Sequence, residues 1–284
     1  PGQGPESGLL APAPVGDDCM AKSRPAPDIR WNEGQRSCHD DDIAAETPVA
    51  LTYNKRSHVV MMVTPTDLED FAVGFSLTEG IIRQVSDILQ MSVIERDEGL
   101  ELAMTVNEAC FSRLSEQRRN LVGRTGCGLC GAESLDQAMR HPAVVASGMS
   151  VTADAIQAAV NSLNDNQPLQ VLTGAVHGAA WCNTEGEIKA LREDVGRHNA
   201  LDKLIGHLAG SGFDPTAGFV LVSSRASYEM VFKAAAVGME LLVAVSAPTT
   251  LAIDFAQRSG LTLVGFARPG RHNVYTFEGR IRDR

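Results

Sequence analysis

An α/β sandwich, with helices on both faces of one sheet, is the fold class this sequence predicts, and three observations predict it. After Pro168, short apolar runs rich in Val, Leu and Ala alternate with longer amphipathic stretches. Runs end in clusters of Gly, Ser, Thr or Asn, the residues of turns and caps. The spacing suits strand–helix units joined in parallel rather than a string of hairpins. In order, LQVLTG reads as a strand leading to AVHGAAWC, and EIKALRED as a strand before a helix over His198 to Leu208. GFVLVSS precedes a helix over Tyr228 to Val237, LLVAVSA one over Leu251 to Arg258, and LTLVGFA closes the set. In such sheets ligands collect beyond the carboxyl ends of the strands.

The first half is organised differently. VALTYN and HVVMMVT, separated by Lys55, Arg56 and Ser57, read as a hairpin. Thr66 and Asp67 then open a helix carrying Leu68, Phe71, Phe75 and Leu77 at near-helical spacing. Strands follow in MSVIER and ELAMTV, and a further helix is expected over Glu133 to Met139. Residues 1–45, rich in Pro, Gly, Ser and Asp with little to bury, are expected to be a largely disordered tail. The chain thus divides into that tail, an α+β portion over 46–150 and an α/β core over 151–284.

Composition narrows the function classes. With 284 residues and 44% hydrophobic content the chain can bury a sizeable core. No apolar run reaches the roughly 18 residues of a membrane span, and LLAPAPV is too short for a secretory core. A soluble, cytoplasmic protein with no membrane partner is expected. The formal net charge of −10 argues against a nucleic-acid partner, although a local basic pocket remains compatible with it. Six irregularly spaced cysteines do not resemble a disulfide framework.

Several polar clusters fall at expected strand ends. Ser223, Ser224, Arg225 and Ser227 in SSRAS offer hydroxyls, a guanidinium and backbone N–H groups to an anion. Ser246, Thr249 and Thr250 in SAPTT repeat the logic one unit later. Helix capping explains the same residue types, so both readings stand at this stage. Arg197, His198 and Asn199, consecutive after Gly196, have the makings of a pocket rim, and His177 is flanked by small residues that leave a ligand room.

RTGCGLCG, residues 124–131, places Cys127 and Cys130 among three glycines. Structural zinc requires about four ligands, and no second ligand pair stands at matching spacing. A thioredoxin-type switch is expected beside a βαβ pattern, and this loop precedes the regular α/β half. The glycines disfavour a buried inert pair. A reactive thiol arm fits best; Arg118, Arg119 and Arg124 favour the thiolate and Glu133 opposes it.

From about Glu46 to Phe277 the chain resembles the FdhD family of formate dehydrogenase accessory sulfurtransferases. The resemblance rests on VTPTDLEDFAVGFSLTEGII, RTGCGLCG, TGAVHGAA, EDVGRHNALDK, SSRASYEMVFKAA, VSAPTTLA and LTLVGFARPG, all in order. It implies a cytidine deaminase-like three-layer sandwich with a mixed β-sheet, plus the smaller N-terminal portion. It also implies a homodimer that takes sulfur from a cysteine desulfurase and passes it to the molybdenum bis-guanine-dinucleotide pterin cofactor of formate dehydrogenase. Cys127 and Cys130 would carry the sulfur. His177, Arg197, His198, Asn199, Ser223, Ser224, Arg225, Ser227, Ser246, Thr249 and Thr250 would hold the cofactor, with GDP as a mimic. Zinc-deaminase chemistry is not expected, because Gly126 stands where P-C-x-x-C requires proline and Gly178 and Ala179 replace the x-Glu that should follow the histidine. A non-catalytic chaperone that binds and inserts the cofactor is the alternative.

Overall fold

The computed structural model describes residues 20–119, 144–212 and 214–283. Cys127, Cys130 and the helix expected over 133–139 lie outside them. Within the N-terminal portion, β3 (Thr47–Tyr53) and β4 (Arg56–Val63) form the expected antiparallel hairpin. Its turn falls on Asn54 and Lys55, whose φ of 48° and 65° match the twist of a tight hairpin. With β5 (Ile88–Arg96) and β6 (Gly99–Val106) they make a four-stranded sheet in the order β4-β3-β6-β5, in which β3 and β6 run parallel. Helices α1 (Leu68–Thr78) and α2 (Glu108–Arg119) contribute to the core on that sheet, where Phe71, Phe75, Leu114, Leu51, Leu102 and Met104 are buried together.

Beyond it comes the α/β core. After the short strand β7 (Val151–Thr152), a six-stranded mixed sheet has the order β13-β12-β11-β10-β8-β9, built from β8 (His177–Asn183), β9 (Ile188–Asp194), β10 (Gly218–Val222), β11 (Leu241–Ala244), β12 (Thr262–Arg268) and β13 (Arg271–Val274). β10, β11 and β12 are parallel, as strand–helix alternation predicts; β8 and β9 instead form an antiparallel hairpin. One sheet face packs with α5 (Arg197–Gly210), α6 (Tyr228–Ala236) and α7 (Thr250–Ser259) around Leu204, Met230 and Phe255. The opposite face packs with α3 (Ala153–Ser162) around Ile156, Phe219 and Val243. The three layers follow from strict alternation: in β10, Val220 and Val222 face one core while Phe219 and Leu221 face the other.

Two sequence-based expectations are corrected. LQVLTG is no strand but most of a short helix, α4 (Pro168–Thr173), and the strand begins three residues later at His177. Pro168 sits in the first helical turn and Gly174, at φ 67°, closes the helix in the left-handed conformation. That Pro-first, Gly-last pairing overrides the β-like run between them. Part of the expected tail, residues 23–44, is likewise ordered as a two-stranded antiparallel ribbon, β1 (Ser23–Asn32) and β2 (Gln35–Ala44). Glu33 and Gly34, both at positive φ, make its turn. The composition argument counts only apolar burial, whereas this ribbon closes its backbone hydrogen bonds while leaving Ile29 and Trp31 exposed.

The N-terminal portion joins the core through α1 and α5, which cross at two glycines. A Cβ on Gly74 would stand 1.7 Å from the carbonyl oxygen of Asp202, and one on Gly206 would stand 1.9 Å from that of Asp70. The backbones therefore touch. Beside the crossing, the buried Lys233 ammonium bonds both carboxylate oxygens of Asp202 at 3.0 and 2.8 Å, and Thr78 Oγ1 at 2.9 Å. The fully buried Lys203 meets Asp194 at 2.7 Å and the Thr64 carbonyl at 2.8 Å. Gly206→Ala should lower stability by about 3 kcal/mol, the upper end of the overpacking range, because a helix backbone must move to admit the methyl. Gly210→Ala, where nothing lies within 4 Å, should change it by less than about 0.5 kcal/mol. Urea midpoints of the two variants measure the difference; equal midpoints would contradict the close crossing.

Candidate anion-binding site at the carboxyl edge of the sheet

Strand pairing decides which residues meet. Val222 at the end of β10 pairs with Ala244 of β11 and with Ala179 of β8, and His177 at the start of β8 pairs with Asp194 at the end of β9. The segments after β9, β10 and β11 therefore gather on one edge with the first residue of β8. His177 begins its strand instead of following one, since the preceding run is helical.

The SSRAS segment is tied down through its backbone, while its last side chain is left unpartnered. Ser223 Oγ accepts the Gly178 N–H at 2.9 Å, and the Ser223 N–H donates to the Gly178 carbonyl at 3.0 Å. Ser224 is buried and donates to the Arg225 carbonyl, while the Arg225 side chain is exposed. Ser227 occupies the N-cap position of α6 with extended backbone, yet its Oγ does not cap the helix. That oxygen is buried without a hydrogen-bond partner. SAPTT behaves differently: Thr249 caps α7 by accepting the Ala252 N–H at 3.2 Å, and Thr250 begins the helix exposed. Ser246 is half-buried, with its carbonyl accepting the Phe266 N–H. The two loops are joined, for the Thr249 N–H donates to the Ala226 carbonyl at 3.0 Å.

At α5 the chain turns tightly around Asp194. Its Oδ1 accepts the Gly196 N–H at 2.8 Å and the Asn199 amide at 2.9 Å. Asn199 also donates to the Met62 carbonyl at 2.8 Å, so its amide nitrogen is committed to fixing β4 against α5. A Cβ on Gly196 would stand 2.6 Å from that nitrogen, which requires glycine there. Arg197 and His198, the first two residues of α5, take part in the site. Arg197 Nε and His198 Nε2 are both buried without a hydrogen-bond partner, although His198 Nε2 stands 2.9 Å from Glu229 Oε2. Burial, with the nearby Arg197 charge, pushes the His177 pKa down and favours the neutral ring. Contact with the His198 ring holds the Glu229 carboxyl below the usual range, so it is ionised at neutral pH.

Chemically this edge offers two helix N-termini, two guanidinium groups, hydroxyls and a neutral imidazole. Orphaned buried donors call for an explanation, and an anionic, oxygen-rich ligand would satisfy both Arg197 Nε and Ser227 Oγ. Among the described residues no group of three or more His, Cys, Asp or Glu side chains could hold a metal ion. Sequence reasoning missed Glu229 and Gln167. Glu229 directly follows Tyr228 in the SSRASYE run, where an acid near a helix start passes for a dipole-favoured residue. Gln167 is buried over Gly178, its Nε2 unpaired and 2.5 Å from where a Cβ would lie, and nothing in the sequence signals that contact.

Comparison with known proteins agrees with this architecture. A sulfur carrier protein FdhD from Cupriavidus necator is 53% identical over 252 residues, covering 89% of this chain and 88% of the relative. One from Bordetella petrii is 45% identical over 274 residues, covering 96% and 98% respectively. A crystal structure described as a formate dehydrogenase accessory protein, from Desulfotalea psychrophila, superposes with a TM-score of 0.71 at 26% identity, over 92% of this chain and all of that one. Residues 44–282 match the model of the FdhD/NarQ family, and the chain belongs to that family.

Proposed function

We propose that this chain is a sulfurtransferase that carries persulfide sulfur from a cysteine desulfurase to the molybdenum bis-guanine-dinucleotide cofactor required by formate dehydrogenase. It acts as a cytoplasmic homodimer and holds the cofactor's anionic nucleotide portion at the carboxyl edge of the sheet. The observation that carries the reading is the convergence of Arg197, Arg225 and Ser227 on that edge, with Arg197 Nε and Ser227 Oγ buried and unpaired. The names of the relatives, sulfur carrier and formate dehydrogenase accessory protein, support it.

The two buried thiols, Cys110 and Cys182, are poorly suited to the chemistry. Burial pushes the Cys182 pKa up to about 12 and raises that of Cys110, so neither supplies a thiolate near neutral pH. Cys127 and Cys130 carry the reaction in this reading. The Cys127 thiolate attacks the sulfane sulfur of the donor persulfide; the donor S–S bond breaks, and the donor cysteine leaves as thiolate. Cys127 then bears the persulfide. Attack by the Cys130 thiolate on the inner sulfur forms a Cys127–Cys130 disulfide and releases the outer sulfur as hydrosulfide for the cofactor. A dithiol reductant restores the pair.

Cys127→Ala should abolish persulfide loading, read by mass spectrometry of the intact chain after incubation with a cysteine desulfurase and cysteine. Full activation of formate dehydrogenase by this variant would refute the carrier role. For the pocket, the wild type should bind GDP without any pterin. Arg225→Ala should weaken that binding by about ten- to a hundredfold, equivalent to roughly 1.5 to 3 kcal/mol for one charge-assisted contact. Calorimetry compares the two; equal affinities, or no binding by either, would make SSRAS an ordinary helix start.

A further inference from the structure

The ribbon of β1 and β2 takes no part in the chemistry above, and the family match begins only at residue 44, where the ribbon ends. Its second strand lies against α4. Cross-strand partners in an antiparallel ladder share a face, so the register divides the ribbon into two sides. On one side the charges answer one another: Arg30 stands 3.6 Å from Asp28 and 4.0 Å from Asp41. The other side carries the pairs Pro27–Asp40, Ile29–Cys38 and Trp31–Arg36, and all six residues are exposed. Ile29 is 52% exposed and Trp31 67%, adjacent on that face, and no ion pair joins Arg36 or Asp40 to another described residue. Large apolar side chains left this open and bordered by charge mark an interaction surface.

The pattern on that side complements its own reverse. Cys38 lies two residues from Arg36 in one direction and two from Asp40 in the other, and its partner Ile29 lies two from Trp31 and two from Pro27. A two-fold axis crossing the ribbon at Ile29 and Cys38 sets Arg36 against Asp40 of a second copy and Trp31 against that copy's Pro27. Ile29 and Cys38 then face their own equivalents. An isologous dimer requires this self-complementarity, whereas a surface for an unrelated protein has no need of it. We propose that this face of the ribbon is an interface between two copies of the chain, with Ile29 and Trp31 at its apolar centre and two Arg36–Asp40 ion pairs at its rim. The inference rests on the homodimer in the proposed function and gives it a surface; the sulfur chemistry does not depend on it.

Within one ribbon Arg36 and Asp40 are four residues apart on an extended strand, roughly 13 Å, too far to pair. Rescue of one charge reversal by the other must therefore pass between copies. Sedimentation of the full chain over a concentration series should show a dimer for the wild type. Arg36→Asp and Asp40→Arg, each placing like charges face to face, should weaken association by about tenfold or more, and the double variant should return to within about threefold of wild type. These positions are exposed, so folding should be unaffected. A bis-maleimide reagent should join two wild-type chains through Cys38, read as a Cys38–Cys38 peptide by mass spectrometry, and each single variant should lose most of that product. A dimer left intact by both single variants would overturn the ribbon interface, leave the homodimer standing on another surface and assign this face to a different protein. Failure of the double variant to restore association would overturn the two-fold register and the proposal with it. A monomeric wild type would overturn the homodimer and its interface together, while persulfide loading at Cys127 judges the carrier role separately.

Discussion

The backbone contact between α1 and α5 at Gly74 and Gly206 is the constraint on which the rest of the molecule depends. Each glycine faces a carbonyl of the other helix, so neither position has room for a methyl group. At this separation no side-chain layer lies between the helices to absorb error, and charged groups near the seam must be paired within the protein. They are paired with side chains from further elements. Lys233 of α6 reaches Asp202 of α5 and Thr78 of α1, and Lys203 of α5 reaches Asp194 of β9 and the Thr64 carbonyl. Buried pairs of this kind add little net stability compared with an apolar core, but removing one partner strands a buried charge at a cost of about 3–5 kcal/mol. Their effect is to allow only one register between the N-terminal sheet and the α/β core.

That register also positions the residues of the proposed anion site. EDVGRHNALDK, residues 193–203, works on two sides at once. Asp194, Asn199, Asp202 and Lys203 turn inward and lock α5 to β4, α1 and α6, while Arg197 and His198 stay at the sheet edge. Gly196 permits both, because the Asn199 amide occupies the space where a side chain would begin. A segment rich in polar residues is thus divided between fixing the scaffold and lining the sheet edge, and position along the helix separates the two groups.

The parallel strands and their helices were legible because each strand is a short apolar run with a capping cluster after it, a signal that depends on nearby residues alone. Locations depending on distant contacts were less legible. Asn199 looked like a pocket residue since its type and neighbours suit one; only the Met62 carbonyl, far away in sequence, shows its amide to be structural. SSRAS and SAPTT look alike in sequence, and both can cap a helix. Only the fold separates Thr249, which does cap one, from Ser227, which stands at a cap position with its oxygen unused. In LQVLTG the residue types favour a strand while Pro168 and Gly174 favour a helix, and the end signals prevailed. The 23–44 ribbon was illegible to a burial argument, since it exposes most of what it contains.

The anion site is proposed on a chain with formal net charge −10, and the pairing of its carboxylates explains how the two are compatible. Charges separated by more than about 8 Å at physiological salt are largely screened, so the ligand senses the groups around it rather than the total. Near the edge, Asp194 is paired with Lys203, Asp202 with Lys233, and Glu229 with His198. Asp194 and Asp202 are each matched by a buried lysine. Among the described residues, no carboxylate lies within ion-pair distance of Arg197 or Arg225, and the starts of α5 and α6 add their partial positive charge beside them. Two guanidinium groups thus stand at the edge even though the surplus of the chain is negative. The ion pairs that hold α5 in place therefore also leave the two guanidinium groups available to the ligand.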